Sequence, residues 1–313
     1  MTVTQSGMVA IIGRPNVGKS TLLNCLLDKK LSITSPKPQT TRGQILGIKI
    51  IDQAQIIYID TPGLHQAEKR AINRYMNRIA SAVMLEVDVI IFMINAAAWH
   101  DEDELVLRKL QNITKPVILV MNKIDLLKDK TKLLPMMDQL QKRYHFVQMI
   151  PISALKADNI TNLEKEIVYL LPAGPPLYPE DQVTDKSVQF QIAEIIREKI
   201  IQTTEKELPY ATTVEIEQFK YIPRGKLRDK AMGDAQLIQE HQLIEIGAII
   251  WVERPGQKVI IIGKQGAQLK KIGMQARRDI EKMLNCKVFL RLWVKIKKHW
   301  TDDERALRSV GYE

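Results

Sequence analysis

The sequence predicts two folded units in one chain: an α/β unit with a mostly parallel sheet, then a smaller α+β unit. Three observations carry this reading. The chain has 313 residues, which at about 150 residues per domain suits two separate cores. From residue 8 to about 171, short β-rich apolar runs alternate with amphipathic stretches, the pattern of βαβ units covered on both faces. Leu171–Pro179, LPAGPPLYP, then places four prolines in nine residues, which neither a helix nor a central strand accommodates. The expected division is 1–172 for the first unit, 173–185 for a Pro-rich linker and 186–313 for the second unit with a C-terminal tail.

In the first unit Met8–Ile12, Ile45–Ile51, Gln55–Ile59, Val87–Ile94, Val117–Met121 and Val147–Ile150 read as strands. Lys19–Leu27, Glu68–Glu86, Asp101–Asn112, Lys130–Lys142 and Ile160–Leu170 read as helices. In the second, Lys186–Thr204 carries isoleucines at helical spacing. Thr212–Tyr221 and Leu243–Glu253 alternate as strands, Lys258–Ile262 continues that pattern, Gly263–Asn285 is helical, and Val288–Lys298 is a last strand.

Composition excludes several classes. Hydrophobic residues make up 45% and charged residues 26%, a balance that folds rather than staying disordered. No apolar run reaches the roughly 18 residues of a membrane span, and the first strand starts too early for a secretory leader. Cys25 and Cys286 are far apart, without metal-ligand or disulfide spacing, which fits a reducing cytoplasm. A formal charge of +10 suggests a polyanionic partner without saying whether it is nucleic acid or membrane.

The first strand runs into Gly13-Arg14-Pro15-Asn16-Val17-Gly18-Lys19-Ser20, followed by Thr21. This satisfies G-x-x-x-x-G-K-[ST] at a strand-to-helix junction. Such a loop wraps phosphates with backbone N–H groups at a helix N-terminus, its lysine reaches the β- and γ-phosphates, and its serine ligates Mg²⁺. Asp60-Thr61-Pro62-Gly63 ends another strand, where an acid can hold Mg²⁺ through water and the Gly63 N–H meets a γ-phosphate. Asn122-Lys123-Ile124-Asp125 follows a third strand. Its aspartate accepts both N1–H and the exocyclic amine of guanine, and left buried and unpaired it penalises adenine. Ser153-Ala154, before Leu155, offers a backbone N–H toward guanine O6.

These motifs, in this order at strand C-termini, resemble the translation-factor class of P-loop GTPases. The resemblance implies a threonine that closes over Mg²⁺ and the γ-phosphate. PQTTRG offers Thr40 and Thr41, of which Thr41, preceding Arg42, is favoured. Signalling GTPases place a glutamine just after D-x-x-G to orient the attacking water. Here Leu64 and His65 follow. Leu64 cannot hydrogen-bond water, and His65 reads better as a surface residue than as a base. The resemblance then implies slow intrinsic hydrolysis and a K⁺ ion held with the help of Asn16.

Charge is concentrated rather than spread: residues 254–298 contain 13 basic and 2 acidic side chains. Within them Val259–Gly273, VIIIGKQGAQLKKIG, resembles the centre of a KH domain of the bacterial type II variety, in which a strand leads into a G-x-x-G loop between helices. Gly263, Lys264, Gln265 and Gly266 would form the loop, with Lys270, Lys271 and Arg277 supplying charge to an RNA backbone of about four single-stranded nucleotides. Trp251, Phe289 and Trp293 read as core or groove wall, and Trp99 as packing.

A P-loop GTPase joined to a KH domain, with the stretches GRPNVGKSTLLN, SITSPKPQTTR, DTPGLHQAEKRAINR, IGKQGAQLKKIG and DDERALRSVGY, resembles the bacterial Era family across essentially the whole chain. The resemblance implies a cytoplasmic, monomeric GTPase using GTP/GDP and Mg²⁺. It implies an assembly factor that binds the 3′ end of small-subunit ribosomal RNA, with peripheral membrane association as a further property. The competing expectations are a GTPase of RNA modification and a membrane-surface signalling switch.

Overall fold

The computed structural model describes residues 3–35, 40–64, 70–204, 212–223, 241–302 and 307. His65 lies outside them. Close contacts divide the chain between Lys186 and Ser187.

The first unit is built on a six-stranded sheet in the order β2-β3-β1-β4-β5-β6. Its strands are β1 (Gln5–Ile12), β2 (Ile45–Ile51), β3 (Ala54–Asp60), β4 (Val89–Asn95), β5 (Val117–Asn122) and β6 (Gln148–Pro151). Edge strand β2 runs antiparallel to β3, and every other pair is parallel. The helices are α1 (Lys19–Leu27), α2 (Ala71–Glu86), α3 (Asp101–Leu110), α4 (Leu133–Gln141) and α5 (Ile160–Leu170).

Strand alternation sends Val9 and Ile11 to a core shared with Leu22, Leu23 and Leu26 of α1 and Leu163 and Ile167 of α5. Ala10 and Ile12 face the opposite core, with Val83 and Met84 of α2, Val106 and Leu107 of α3, and Leu133 and Leu140 of α4. The sheet is therefore covered on both faces, and the strand ends carry the motifs. The first turn of α3 is acidic from Asp101 to Glu104 and its last turn holds Arg108 and Lys109, matching the helix dipole. Trp99 packs edge-on against Phe92, with its ring centroid 6.1 Å away.

The segment expected to link the units is fastened to the first sheet. Gln55 on β3, fully buried, accepts from Leu177 N at 2.7 Å and Tyr178 N at 3.0 Å and donates to Tyr178 O at 2.7 Å. Ser6 donates to Pro175 O, Thr184 Oγ1 donates to Leu46 O at 2.6 Å, and Ile48 N donates to Val183 O at 2.8 Å. Prolines break helix and strand but leave carbonyls free to accept, so this stretch lies as a strap along β1, β2 and β3.

Among the described residues, the second unit orders its elements as helix, strand, strand, helix, helix, strand. These are α6 (Val188–Thr203), β7 (Thr212–Pro223), β8 (His241–Val252), α7 (Pro255–Ile262), α8 (Ala267–Leu284) and β9 (Lys287–Ile296). Strand β8 pairs antiparallel with β7 and parallel with β9. Ser187 caps α6 by accepting from Phe190 N. Ile192, Ile196 and Ile200 of α6 meet Ile272, Ala276 and Ile280 of α8 and the inward residues of β8.

One expectation is corrected here. Lys258–Ile262 is not a strand but part of α7. Pro255 opens the helix, and the Gln257 side chain accepts from Glu253 N and Arg254 N. Local capping outweighs the β preference of Val-Ile-Ile-Ile, and the run is buried at Ile261 while Val259 and Ile260 face outward.

Replacing Gln55 by Leu leaves two strap N–H groups without their partner. We expect a loss of about 2–3 kcal/mol of stability, measured by urea unfolding of the full chain, together with faster proteolysis within 173–185.

Candidate nucleotide site and nucleic-acid groove

The first site forms where β1, β3, β5 and the loop after β6 end together. Gly18 has φ +108°, and a Cβ there would stand 2.3 Å from Asn122 Nδ2, so the helix start and the Asn122 motif approach only because this residue is glycine. The loop is tied across the motifs. Asn122 Nδ2 donates to Val17 O at 2.8 Å, and Lys123 Nζ donates to Asn16 O at 2.7 Å. Lys19 Nζ curls back to the carbonyls of Gly13 and Arg14, at 3.0 Å each. Its burial lowers its pKa to about 8 despite the opposing pull of Asp60. The Arg14 guanidinium points away to the buried Asp103 at 3.1 Å.

Pro15, Asn16, Gly18, Lys19, Ser20 and Thr21 form one wall of a cavity; Ile33, Thr34, Ser35, Thr40, Thr41 and Gly63 form the rest. Behind the Ser20 and Thr41 hydroxyls of this lining sits Asp60, fully buried. Its Oδ2 accepts from Ser20 Oγ at 2.8 Å, Thr41 Oγ1 at 3.0 Å and Ser32 Oγ at 3.3 Å. Asp60 Oδ1 is buried without a partner. Burial raises this carboxylate's pKa, while Lys19 and the three hydroxyls pull it down. Two hydroxyls and one carboxylate with an unsatisfied buried oxygen, beside this cavity, have the all-oxygen chemistry that fits Mg²⁺.

Thr61 is buried and its hydroxyl donates to Ile11 O at 2.9 Å. Pro62 is buried and Gly63 packs on Pro15. Leu64 is 3% exposed and belongs to the core of α2, α3 and α4. At the base-binding end, Ser153 Oγ donates to Asp125 Oδ1 at 2.6 Å, and Ile124 is buried beneath.

Two expectations change. Asp125 is exposed in this structure, so any penalty against adenine arises when a base covers it. Of the N–H groups in Ser153-Ala154, expected to offer one to guanine O6, that of Ala154 donates to Asn122 Oδ1 at 2.9 Å and that of Ser153 to Asp158 O at 3.2 Å, and Leu155 projects into solvent. Sequence reading missed Ser32 and Asn24. The available signal was that Asn24 follows Ser20 by four residues and so shares its helix face.

The second site lies on α8 and β9. Gly263 has φ +71°, and a Cβ there would stand 2.6 Å from Gln268 Cβ, so the turn out of α7 requires glycine. Gln265 has positive φ, and Lys264 and Gln265 are exposed at the tip. A groove follows, lined by Gly266, Leu269, Lys270, Met274 and Arg277 on one side and Leu290 and Leu292 on the other, with Gly273 between. Lys271 is exposed but does not line it.

The aromatic residues are not the groove wall. Phe289 and Trp293 are 52% and 39% exposed. Strand alternation puts them on the sheet face opposite Val288 and Val294, with Arg291 lying over both rings. Trp251 donates its indole N–H to Glu215 at 2.7 Å.

Two tests follow. Asn at position 125 donates where Asp accepts, so Asp125→Asn should shift preference from GTP to XTP by at least about tenfold, read by competition with a fluorescent nucleotide. Phosphate binding stabilises charged Lys19, so its pKa rises from about 8 on binding. Nucleotide binding at pH 8.5 should take up protons, and at pH 7 almost none, in calorimetry across buffers of different ionisation enthalpy.

The regions that carry the two sites match known families. Residues 8–123 match the family model of the 50S ribosome-binding GTPase, and residues 207–301 match that of the KH domain. GTPase Era of Ectopseudomonas mendocina (strain ymp) is 50% identical over 310 residues, 99% of this chain and 98% of that protein. GTPase Era of Histophilus somni (strain 129Pt) is 50% identical over 309 residues, 99% of this chain and 97% of that protein. Among solved structures, a crystal structure of Era in complex with MgGDPNP and nucleotides 1506–1542 of 16S ribosomal RNA superposes with TM-score 0.89 at 42% identity, covering 99% of each chain. An Aquifex aeolicus Era variant bound to GDP·AlF4⁻ gives TM-score 0.88 at 42% identity, covering 98% of this chain and 99% of that one. With the nucleotide motifs, the G-x-x-G groove and near-complete alignment at half identity in agreement, the chain belongs to the Era family of GTPases, with an N-terminal P-loop GTPase domain and a C-terminal KH domain.

Proposed function

We propose that this GTPase acts in assembly of the small ribosomal subunit, binding the single-stranded 3′ end of its ribosomal RNA through the KH groove in a manner set by the bound nucleotide. The observation that carries the reading is the presence in one chain of a cavity lined by the G-x-x-x-x-G-K-S loop beside the buried Asp60, and a G-x-x-G groove with basic and apolar lining. The similar Era structure that contains MgGDPNP and 16S ribosomal RNA supports it.

In this reading Gly13 to Thr21 cradle the phosphates, and Lys19 exchanges two loop carbonyls for the β- and γ-phosphate oxygens. Ser20 and Thr41 turn their hydroxyl oxygens to Mg²⁺, Asp60 holds it through water, and the Gly63 N–H faces the γ-phosphate. Mg²⁺, when bound, neutralises charge on the β- and γ-phosphates. Asn122 and Lys123 brace the loop while Asp125, with Ser153 and Ala154 behind it, selects guanine. Leu64 is committed to the core and orients no water, so intrinsic turnover is slow. Asn16, on the cavity wall, would help hold a K⁺ ion, which would add positive charge beside the phosphates. Turnover should be severalfold faster in KCl than in NaCl, and Asn16→Ala should erase the difference. Equal rates in both salts would remove K⁺ from the reading.

On the RNA side, the loop Gly263–Gly266 admits the backbone, Lys264, Lys270 and Arg277 pair with phosphates, and Leu290 and Leu292 contact bases. Lys271 adds long-range charge. Nucleotide-driven changes around Thr41 and after Asp60 alter RNA affinity, and by linkage RNA alters GTP affinity by the same factor. Lys264→Ala and Arg277→Ala should each weaken binding to a 3′-end oligonucleotide and reduce the salt slope by about 1. Affinity should differ between GTP-analogue and GDP states, and equal values would sever the coupling.

The same reading includes a cytoplasmic monomer, supported by two free thiols, and a secondary peripheral contact with anionic lipid through the basic 254–298 segment. Among the described residues no helix is long and apolar enough to cross a membrane. Vesicle flotation at two salt concentrations and sedimentation equilibrium test these two statements.

A further inference from the structure

Asn24 uses its side chain on two neighbouring residues. Its Oδ1 accepts from Leu31 N and from Ser32 N, both at 2.8 Å, and its Nδ2 donates to Ser32 O at 2.8 Å. An amide side chain has an acceptor with two lone pairs and two N–H donors, so three of its four sites are spent on one short stretch of backbone. The stretch begins the loop whose next residues, Ile33, Thr34 and Ser35, line the phosphate cavity and which returns to it at Thr40 and Thr41. Asn24 stands on α1 four residues after Ser20, so both side chains leave the same helix face. The held residue, Ser32, is 1% exposed, and its hydroxyl donates to Asp60 Oδ2 at 3.3 Å.

We infer that Ser32 is a positioning residue for the Mg²⁺-holding carboxylate, and that Asn24 keeps it in place. Three hydroxyls surround Asp60. All three donate to Oδ2. In the proposed function Ser20 and Thr41 also serve Mg²⁺ through oxygen lone pairs while each keeps its O–H to donate, so their positions answer to both the ion and the acid. Ser32 serves as no ligand in that reading, so of the three it is the hydroxyl whose role is confined to holding the carboxylate. Asp60 is fully buried, and an unanchored carboxylate there would have to find its metal-competent orientation at each binding event. The Asn24 clamp also fixes the start of the loop that carries Thr41, so one side chain sets the position of both the loop and the acid.

The test is a Mg²⁺ titration of binding to a fluorescent, non-hydrolysable GTP analogue, using the full-length protein. Ser32→Ala removes one hydrogen bond to a buried charge. It should raise the half-saturating Mg²⁺ concentration about tenfold while leaving nucleotide affinity in EDTA unchanged. Ser32→Thr, which keeps the hydroxyl, should restore the wild-type titration. Asn24→Ala should shift it in the same direction, and the double variant Asn24→Ala with Ser32→Ala should be no worse than the more severe single change, because the two act in series. A Ser32→Ala titration that overlays the wild type overturns the inference. So does a loss of affinity that is equal with Mg²⁺ and in EDTA, because a merely structural residue would act on both. Failure of the wild-type protein to bind GTP more tightly with Mg²⁺ would instead count against the nucleotide assignment, which separates the two.

Discussion

The first unit is organised around a buried carboxylate. Asp60 ends β3, flanked by the parallel strand β1, and is withdrawn from water with one oxygen unpartnered. Leaving a charge there is costly unless neighbouring groups hold it. The neighbours come from three places: Ser20 from the first turn of α1, Ser32 from the loop after that helix, and Thr41 from the approach to β2. The ammonium of Lys19 adds an opposite charge while being buried itself. Chain segments far apart in sequence are thus drawn to one point by a single electrostatic requirement. Strand end, helix start and the loop between them cannot move independently of it.

That requirement also explains why the strap matters. Strand β2 begins four residues after Thr41 and is the sheet's edge. An exposed edge strand offers unpaired backbone groups. Here Ile48 N and Leu46 O are paired with Val183 and Thr184, while Gln55 on the adjacent strand holds residues 177 and 178. The proline-rich stretch covers an edge that would otherwise be open and shares its hydrogen bonds with the strand leading away from the cavity. A segment that composition marks as a spacer is, in hydrogen-bonding terms, part of the GTPase sheet.

The KH unit separates two kinds of surface. Its inner sheet face and helices α6 and α8 bury a continuous isoleucine-rich core. Its groove sits at the edge of that core, where Gly273 lets α8 lie close to Leu292 of β9. The exposed rings of Phe289 and Trp293 lie on the other sheet face, bridged by Arg291, which also pairs with Glu245. Those aromatics lie off the groove, whose apolar side chains are Leu269, Met274, Leu290 and Leu292.

What the sequence determined by itself was whatever depends on neighbours a few residues away. The strand–glycine loop–helix junction at Gly13–Ser20, the order of the four nucleotide motifs, the alternation that makes the sheet parallel, and the glycines at 263 and 266 are short-range patterns, and each was legible. Even there a local competition misled. Lys258–Ile262 has the composition of a strand, and the cap set by Pro255 and Gln257 made it a helix. Only the tertiary structure decided the rest. Ser32 meets Asp60 across 28 residues, Gln55 meets the strap across 122, and Arg14 meets Asp103 across 89. The face on which Phe289 and Trp293 emerge depends on how β9 registers against β8. Side-chain type and spacing announce what a residue can do, but its partner is chosen by packing, and packing brings together positions that no local pattern connects.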